Sequence, residues 1–149
     1  MGIADDAVEI RSQGWRTLAA LYGALDTALE RALQQGHQLS VVEYTVLDAL
    51  SRQDGWHMRM SQLARATALS SSATTRLVNR LEERGLLIRV LCADDRRGIY
   101  TELTPTGRDL LDDARPTHDA TLESALNRAA EVPELAPLVR ALGQLSVPT

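Results

Sequence analysis

Lysine and phenylalanine are missing from this sequence altogether, and cysteine occurs only once. With Cys92 as its single thiol the chain cannot form an internal disulfide, which fits a reducing compartment and an expected place in the cytoplasm. Its neighbours Asp94 and Asp95 disfavour a thiolate, so a redox-sensing role is not expected either. The three histidines, His37, His57 and His118, lie far apart, with no second cysteine and no His-x-x-x-His spacing. Such a pattern builds no ligand set, and neither metal nor cofactor is expected. No run of eighteen apolar residues is present, and Met1 to Arg11 carries acids rather than a basic stretch leading into an apolar one, so no membrane span or targeting segment is expected. Also lacking are a nucleophile with a base placed by a recognisable motif, a phosphate loop, and paired carboxylates on a suggestive scaffold. An enzyme is therefore not expected.

What is present suffices for one compact domain that folds without staples: 149 residues, of which 44% are hydrophobic. The net charge of -4 argues against nucleic-acid binding by the whole surface, but it hides a segregated distribution. From Arg59 to Arg97 eight arginines face four acids, a net +4; the rest of the chain has eight arginines against sixteen acids, a net -8. The positive charge is concentrated in the middle third.

Periodicity assigns the elements. Trp15, Leu18, Tyr22, Leu25, Leu29 and Ala32 recur at helical spacing, predicting one long amphipathic helix that stops near Gln35 and Gly36. A second helix begins at Ser40, with Glu43 placed for a capping box, and runs to about Arg52. After a turn and a few extended residues in QDGWHMRM, a short third helix is expected with Ser61 as its cap and Leu63, Ala64 and Leu69 buried. A fourth is capped by Ser70 or Ser71 and stopped at Gly85. LLIRVLC and IYTELT read as two strands joined by the polar tip ADDRRG, a β-hairpin. Thr104 caps a fifth helix with Pro105 at its first position. Within it Pro116 should kink or split the helix, because it removes the bond to the Asp112 carbonyl. A short last helix follows Pro133, carrying Leu135, Leu138, Val139, Leu142 and Leu145. The fold class is mainly α with a small β-hairpin wing: about six helices, with residues 36–103 as a winged helix-turn-helix and residues 1–35 and 104–149 as flanking helices.

The fourth helix carries the functional signal. Steps of 100° put Ala73, Leu77 and Leu81 on one side and Ser72, Thr75, Arg76 and Asn79 on the other. A merely solvated face would favour Glu, Gln and Lys, which have higher helix propensity than Ser, Thr and Asn. Short hydroxyl and amide groups near a helix N-terminus, backed by arginines, suit the DNA major groove, where they reach phosphates and base edges. The competing account is that the serines only cap and that Arg76 and Arg80 are solvated. The preceding short helix and turn, with the following hairpin and its tip arginines Arg96 and Arg97, favour a winged helix-turn-helix that holds duplex DNA. A wing arginine suits the narrow minor groove.

The segments LSVVEYTVLDAL, MSQLARATALSSSATTRLVNRLEERGLLIR and DDRRGIYTELTPTG resemble the multiple antibiotic resistance regulator (MarR) family of winged-helix transcription factors. The resemblance covers Leu39 to Gly107 densely. It implies a homodimer held by its terminal helices, reading successive major grooves of a pseudo-palindrome, and in many relatives released by a small aromatic or phenolic effector. By position, Ser72, Thr75, Arg76 and Asn79, on the exposed side that starts at Ser71, match recognition-helix residues. Arg97 matches the wing arginine, and Asp95 the aspartate that steadies the wing and is expected to pair with Arg76. Arg80 and Arg96 are assigned to phosphates. Trp15, Tyr22, His37 and Tyr44 are the candidate effector contacts, against the simpler expectation that the few aromatics supply core packing. The rival function is a winged-helix module that binds protein without DNA; it would require an apolar outward face on the fourth helix.

Overall fold

The computed structural model describes residues 3–92 and 95–145, with the side chains of residues 3–5 and 92–97 outside that description. Among the described residues there are six α-helices: α1 (Ile3–His37), α2 (Val41–Ser51), α3 (Met60–Thr67), α4 (Ser71–Glu83), α5 (Pro105–Ala130) and α6 (Ala136–Leu142). A 3-10 turn (Asp54–Trp56) follows α2, and three strands, β1 (His57–Arg59), β2 (Leu87–Cys92) and β3 (Asp95–Leu103), form an antiparallel sheet of order β1-β3-β2. The chain divides into two compact units, Leu33–Thr117 and Met1–Ala32 with His118–Thr149.

Leu33–Thr117 is built on leucine. Leu33, Leu39, Leu47, Leu50, Leu63 and Leu81 are fully buried in one cluster, joined by Val46, Val78 and Tyr44. Burying each such side chain is worth about 1.5–3 kcal/mol relative to leaving it in water. Helix α2 starts as its sequence dictates: the Glu43 N–H donates to Ser40 Oγ at 3.0 Å, and the Ser40 N–H donates to Glu43 Oε1 at 2.9 Å. Helices α3 and α4 both end with a left-handed residue, Ala68 (φ 56°) and Gly85 (φ 73°). In each case the next N–H reaches back to a carbonyl five residues earlier, Leu69 to Ala64 at 3.1 Å and Leu86 to Leu81 at 3.0 Å. That bond satisfies a terminal carbonyl and turns the chain sharply. At α3 the turn delivers it directly to Ser70 and α4, giving the helix-turn-helix.

The sheet sits on this core through Met58, Leu87, Thr101 and Leu103, which share its inner face by register and are buried. Glycine is required at position 107, where a Cβ would lie 2.0 Å from the Leu86 carbonyl oxygen. The first turn of α5 can therefore approach the start of β2. The Thr104 hydroxyl clamps the same place, donating to the Gly85 carbonyl at 2.6 Å while accepting the Gly107 N–H at 3.0 Å.

Several local expectations are corrected. Helix α1 runs through Gly36 to His37, and Gln38 (φ 55°) makes the left-handed exit. The N-cap of α3 is Arg59 rather than Ser61; the Gln62 side chain accepts the Arg59 N–H at 3.2 Å, so the helix begins two residues earlier. Helix α5 is not split at Pro116. One lost N–H is outweighed by the bonds of the turns on either side and by the buried Leu111, Ala114 and Ala125 along its apolar stripe. Trp15 and Tyr22 do not supply core packing, remaining 68% and 66% exposed, whereas Tyr44 is buried in the leucine core and Trp56 packs against it.

In the unit formed by Met1–Ala32 and His118–Thr149, Leu21, Leu29, Ala125 and Ala129 are buried, whereas Leu18, Leu142 and Leu145 stay largely in solvent. No described helix is long and apolar enough to cross a membrane.

Candidate nucleic-acid interface

Helix α4 is fixed at both ends. Ser70 Oγ accepts the Ala73 N–H at 3.1 Å, which caps the N-terminus, and the Arg84 guanidinium reaches Glu43 Oε2 at 3.0 Å. One carboxylate thus closes the capping box of α2 and holds the C-terminal end of α4. The buried side consists of Thr74, Leu77, Val78 and Leu81, rotated slightly from the expected Ala73, Leu77 and Leu81. Thr74 belongs there because its hydroxyl donates to the Ser70 carbonyl at 2.8 Å and so carries no unmet polar group inward.

On the opposite side Ser71, Ser72, Thr75, Arg76, Asn79 and Arg80 are all exposed, as a polar strip about two turns long. The Thr75 hydroxyl donates to the Ser71 carbonyl at 2.9 Å, which leaves its lone pairs and methyl outward. Among the described residues, Arg76 and Arg80 have no ion-pair partner, so their charge is available to an external anion. The structure therefore gathers six of the nine expected DNA-contacting residues on one face. The side chains of the other three, Asp95, Arg96 and Arg97, lie outside the described residues, as does the expected Asp95–Arg76 pair.

Beside the strip stands the β2–β3 hairpin. Its register is regular from Leu87↔Leu103 to Leu91↔Ile99 and then jumps to Cys92↔Asp95, so residues 96–98 have no Cα partner on β2. Asp95 is already in the strand that the sequence placed in the tip. Leu91, 77% exposed, and Ile99 show that the outer half of the hairpin has left the core. Between hairpin and helix opens a cleft of about 430 Å³, lined by Arg59, Met60, Ser61, Thr75, Arg89 and Ile99.

Arg59 and Arg89 entered the sequence analysis only as members of the basic segment. In the structure Arg89, on β2, donates from Nη2 to Asn79 Oδ1 and lies 3.9 Å from Glu82, both on α4. Arg59 donates to the Tyr100 hydroxyl at 3.0 Å across β1 and β3. Nothing local in the sequence pairs residues ten or forty-one positions apart.

The candidate effector residues fall in both units. Tyr44 is 4% exposed inside the leucine core, and His37 shares a 2.8 Å hydrogen bond with Thr117 Oγ1. Tyr22 borders an apolar groove of about 300 Å³ with Leu18, Leu25, Leu138, Leu142 and Leu145. Trp15 lines a shallow polar-edged groove with Val8, Arg11 and Arg16.

Known proteins share this architecture. The model of the MarR family matches residues 37–98, from the end of α1 to the hairpin. AbsC, a MarR family transcriptional regulator from Streptomyces coelicolor, is 33% identical with a TM-score of 0.75, over 87% of this chain and 86% of that one. The chain belongs to the MarR family of transcriptional regulators. Two further MarR-like folds are similar in shape at lower identity. Sco3205 from Streptomyces coelicolor, solved in complex with DNA, has a TM-score of 0.73 and 24% identity over 97% of this chain and 89% of that one. BpsR from Bordetella bronchiseptica, whose DNA binding is regulated by 6-hydroxynicotinic acid, has a TM-score of 0.72 and 23% identity over 89% and 97%. Membership in this family agrees with a polar, arginine-bearing outer face on α4, where a protein-docking module would carry apolar side chains.

Proposed function

We propose that this MarR-family protein acts in the cytoplasm as a ligand-responsive repressor that binds a pseudo-palindromic duplex site as a homodimer. Residues 36–103 form the DNA-binding region, and the helices of residues 1–35 and 104–149 form the dimer. Helix α4 enters the major groove. Ser71, Ser72, Thr75, Arg76 and Asn79 meet phosphates and base edges, Arg80 and Arg96 meet phosphates, Arg97 enters the minor groove, and Asp95 steadies the hairpin. The observation that carries this reading is the strip of exposed hydroxyl, amide and guanidinium groups on α4, directly opposite the buried face of Thr74, Leu77, Val78 and Leu81. A helix so firmly seated presents its polar side chains at fixed spacing, which base readout requires.

The test is a fluorescence-anisotropy titration of the full chain against a duplex it selects from a random library and against a scrambled duplex. Affinity for the selected duplex should be at least about 1,000-fold higher, and it should fall steeply with added salt as counterions are released. Equal affinity for both duplexes contradicts the reading. In the same assay Arg97→Ala should weaken binding while leaving the thermal melt unchanged; a lowered melt would make Arg97 a structural residue instead.

Small aromatic acids are the effector class in this proposal, supported by the regulation of BpsR's DNA binding by 6-hydroxynicotinic acid. Trp15, Tyr22, His37 and Tyr44 are the candidate contacts.

A further inference from the structure

Leu91 on β2 stands opposite Ile99 on β3, in register with the pairs Arg89↔Thr101 and Leu87↔Leu103 nearer the core. Side chains two apart along a strand share a face, so Leu91 and Ile99 continue the inner face of the sheet past the point where the core ends. Leu87, Thr101 and Leu103 on that face are buried, whereas Leu91 is 77% and Ile99 47% exposed. The face is turned toward α4: Arg89, which belongs to it, reaches Asn79 and Glu82 there. Ile99 itself lines the cleft between hairpin and helix, together with Thr75 of the polar strip and with Arg59 and Arg89. A large aliphatic pair therefore adjoins the cations and hydroxyls of the DNA-facing surface. On a hairpin that met only water, threonine would suit the strands as well and leave no apolar pair outside. A duplex offers such a pair something to cover. Its backbone alternates charged phosphates, which cations meet, with deoxyribose rings whose C–H surface gains only from apolar burial.

We infer that Leu91 and Ile99 form an apolar shoulder of the hairpin that packs on deoxyriboses of the strand lying between the groove read by α4 and the groove entered by the tip. The inference rests on the DNA-binding function proposed above and adds two contact residues to it. Their contact carries no charge and reads no base.

The test is a salt series of anisotropy titrations with the full chain on its selected duplex. Leu91→Ser combined with Ile99→Ser removes apolar surface and no charge. Affinity should fall by about tenfold or more, as the lost burial implies, while the slope of log affinity against log salt stays that of the wild type, because an uncharged contact releases no counterion. Arg80→Ala, at a proposed phosphate contact, should instead reduce that slope by about one for each contact removed. Leu91→Met with Ile99→Val keeps the apolar surface and should bind as the wild type does. The base preferences selected from a random library should be the same for all these hairpin variants, since every nucleotide carries the same sugar. In hydroxyl-radical footprinting, which cleaves at deoxyribose, the wild type should protect sugars beside each major-groove patch, and the double serine variant should expose them again. Wild-type affinity in the double serine variant overturns the inference while leaving the proposed function standing. So does a changed salt slope, a changed base preference, or a fall in sedimentation to the mass of one chain, which would assign the pair to a protein interface. Should the serine variant melt early, the wild-type footprint still decides: sugars left open to cleavage beside the major-groove patches overturn the inference. A wild type with no preference for its selected duplex would overturn the proposed function, and this inference with it.

Discussion

Residues Leu33–Thr117 enclose a continuous leucine core, whereas the other unit leaves Trp15, Leu18, Tyr22 and Leu145 largely in solvent within a single chain. In the first unit the helix ends are capped and the sheet is seated on buried side chains, and its exposed large apolar residues among those described are Val42 and the hairpin residues Ile88, Leu91 and Ile99. The second has apolar surface left over. Large exposed apolar patches mark surfaces that meet another molecule, and in the proposed function that molecule is a second copy of this chain. In the proposed homodimer the two units would be stabilised in different ways, one by intrachain packing and the other by association.

Substitutions in each unit test this contrast. The largest effect is expected from Leu18→Glu combined with Tyr22→Glu, which places two charges in the exposed apolar groove. Sedimentation should then report the mass of one chain instead of two, and losing the second half-site should weaken operator binding by about 100-fold or more. A dimer that survives both charges would place the interface elsewhere. Next is Leu81→Ala in the first unit, where the side chain is fully buried. Urea unfolding should show a loss of about 2–5 kcal/mol, with the oligomeric mass unchanged. The smallest is Ser70→Ala, which removes the α4 cap and should cost about 1 kcal/mol; an unchanged midpoint would mean that solvent replaces the cap at no cost.

The same contrast explains how much was readable from sequence. Signals acting within a few residues were legible: the Ser40–Glu43 capping box, Ser70 before α4, Gly85 after it, and Thr104 with Pro105 at the start of α5. The polar strip of α4 was legible too, since it follows from helical spacing alone. Strand β1 was legible only as a few extended residues, because three residues form a strand only when β3, some forty positions later, supplies the partners Tyr100, Thr101 and Glu102. The Arg89–Asn79 contact was hidden for the same reason: it depends on where β2 folds against α4. Gly36 did not stop α1 and Pro116 did not split α5, because glycine and proline weaken a helix locally, while neighbouring hydrogen bonds and buried side chains decide whether it continues. The long-range part of the site required coordinates.

The central claim is that the exposed strip of α4 reads duplex DNA in two copies. Hydroxyl-radical and guanine-methylation footprinting of the full chain on its selected duplex tests this most directly. The account predicts two major-groove patches protected from methylation, about one helical turn apart, with both lost together in Arg76→Ala. Uniform protection along the duplex, or a single patch unaffected by Arg76→Ala, would contradict it.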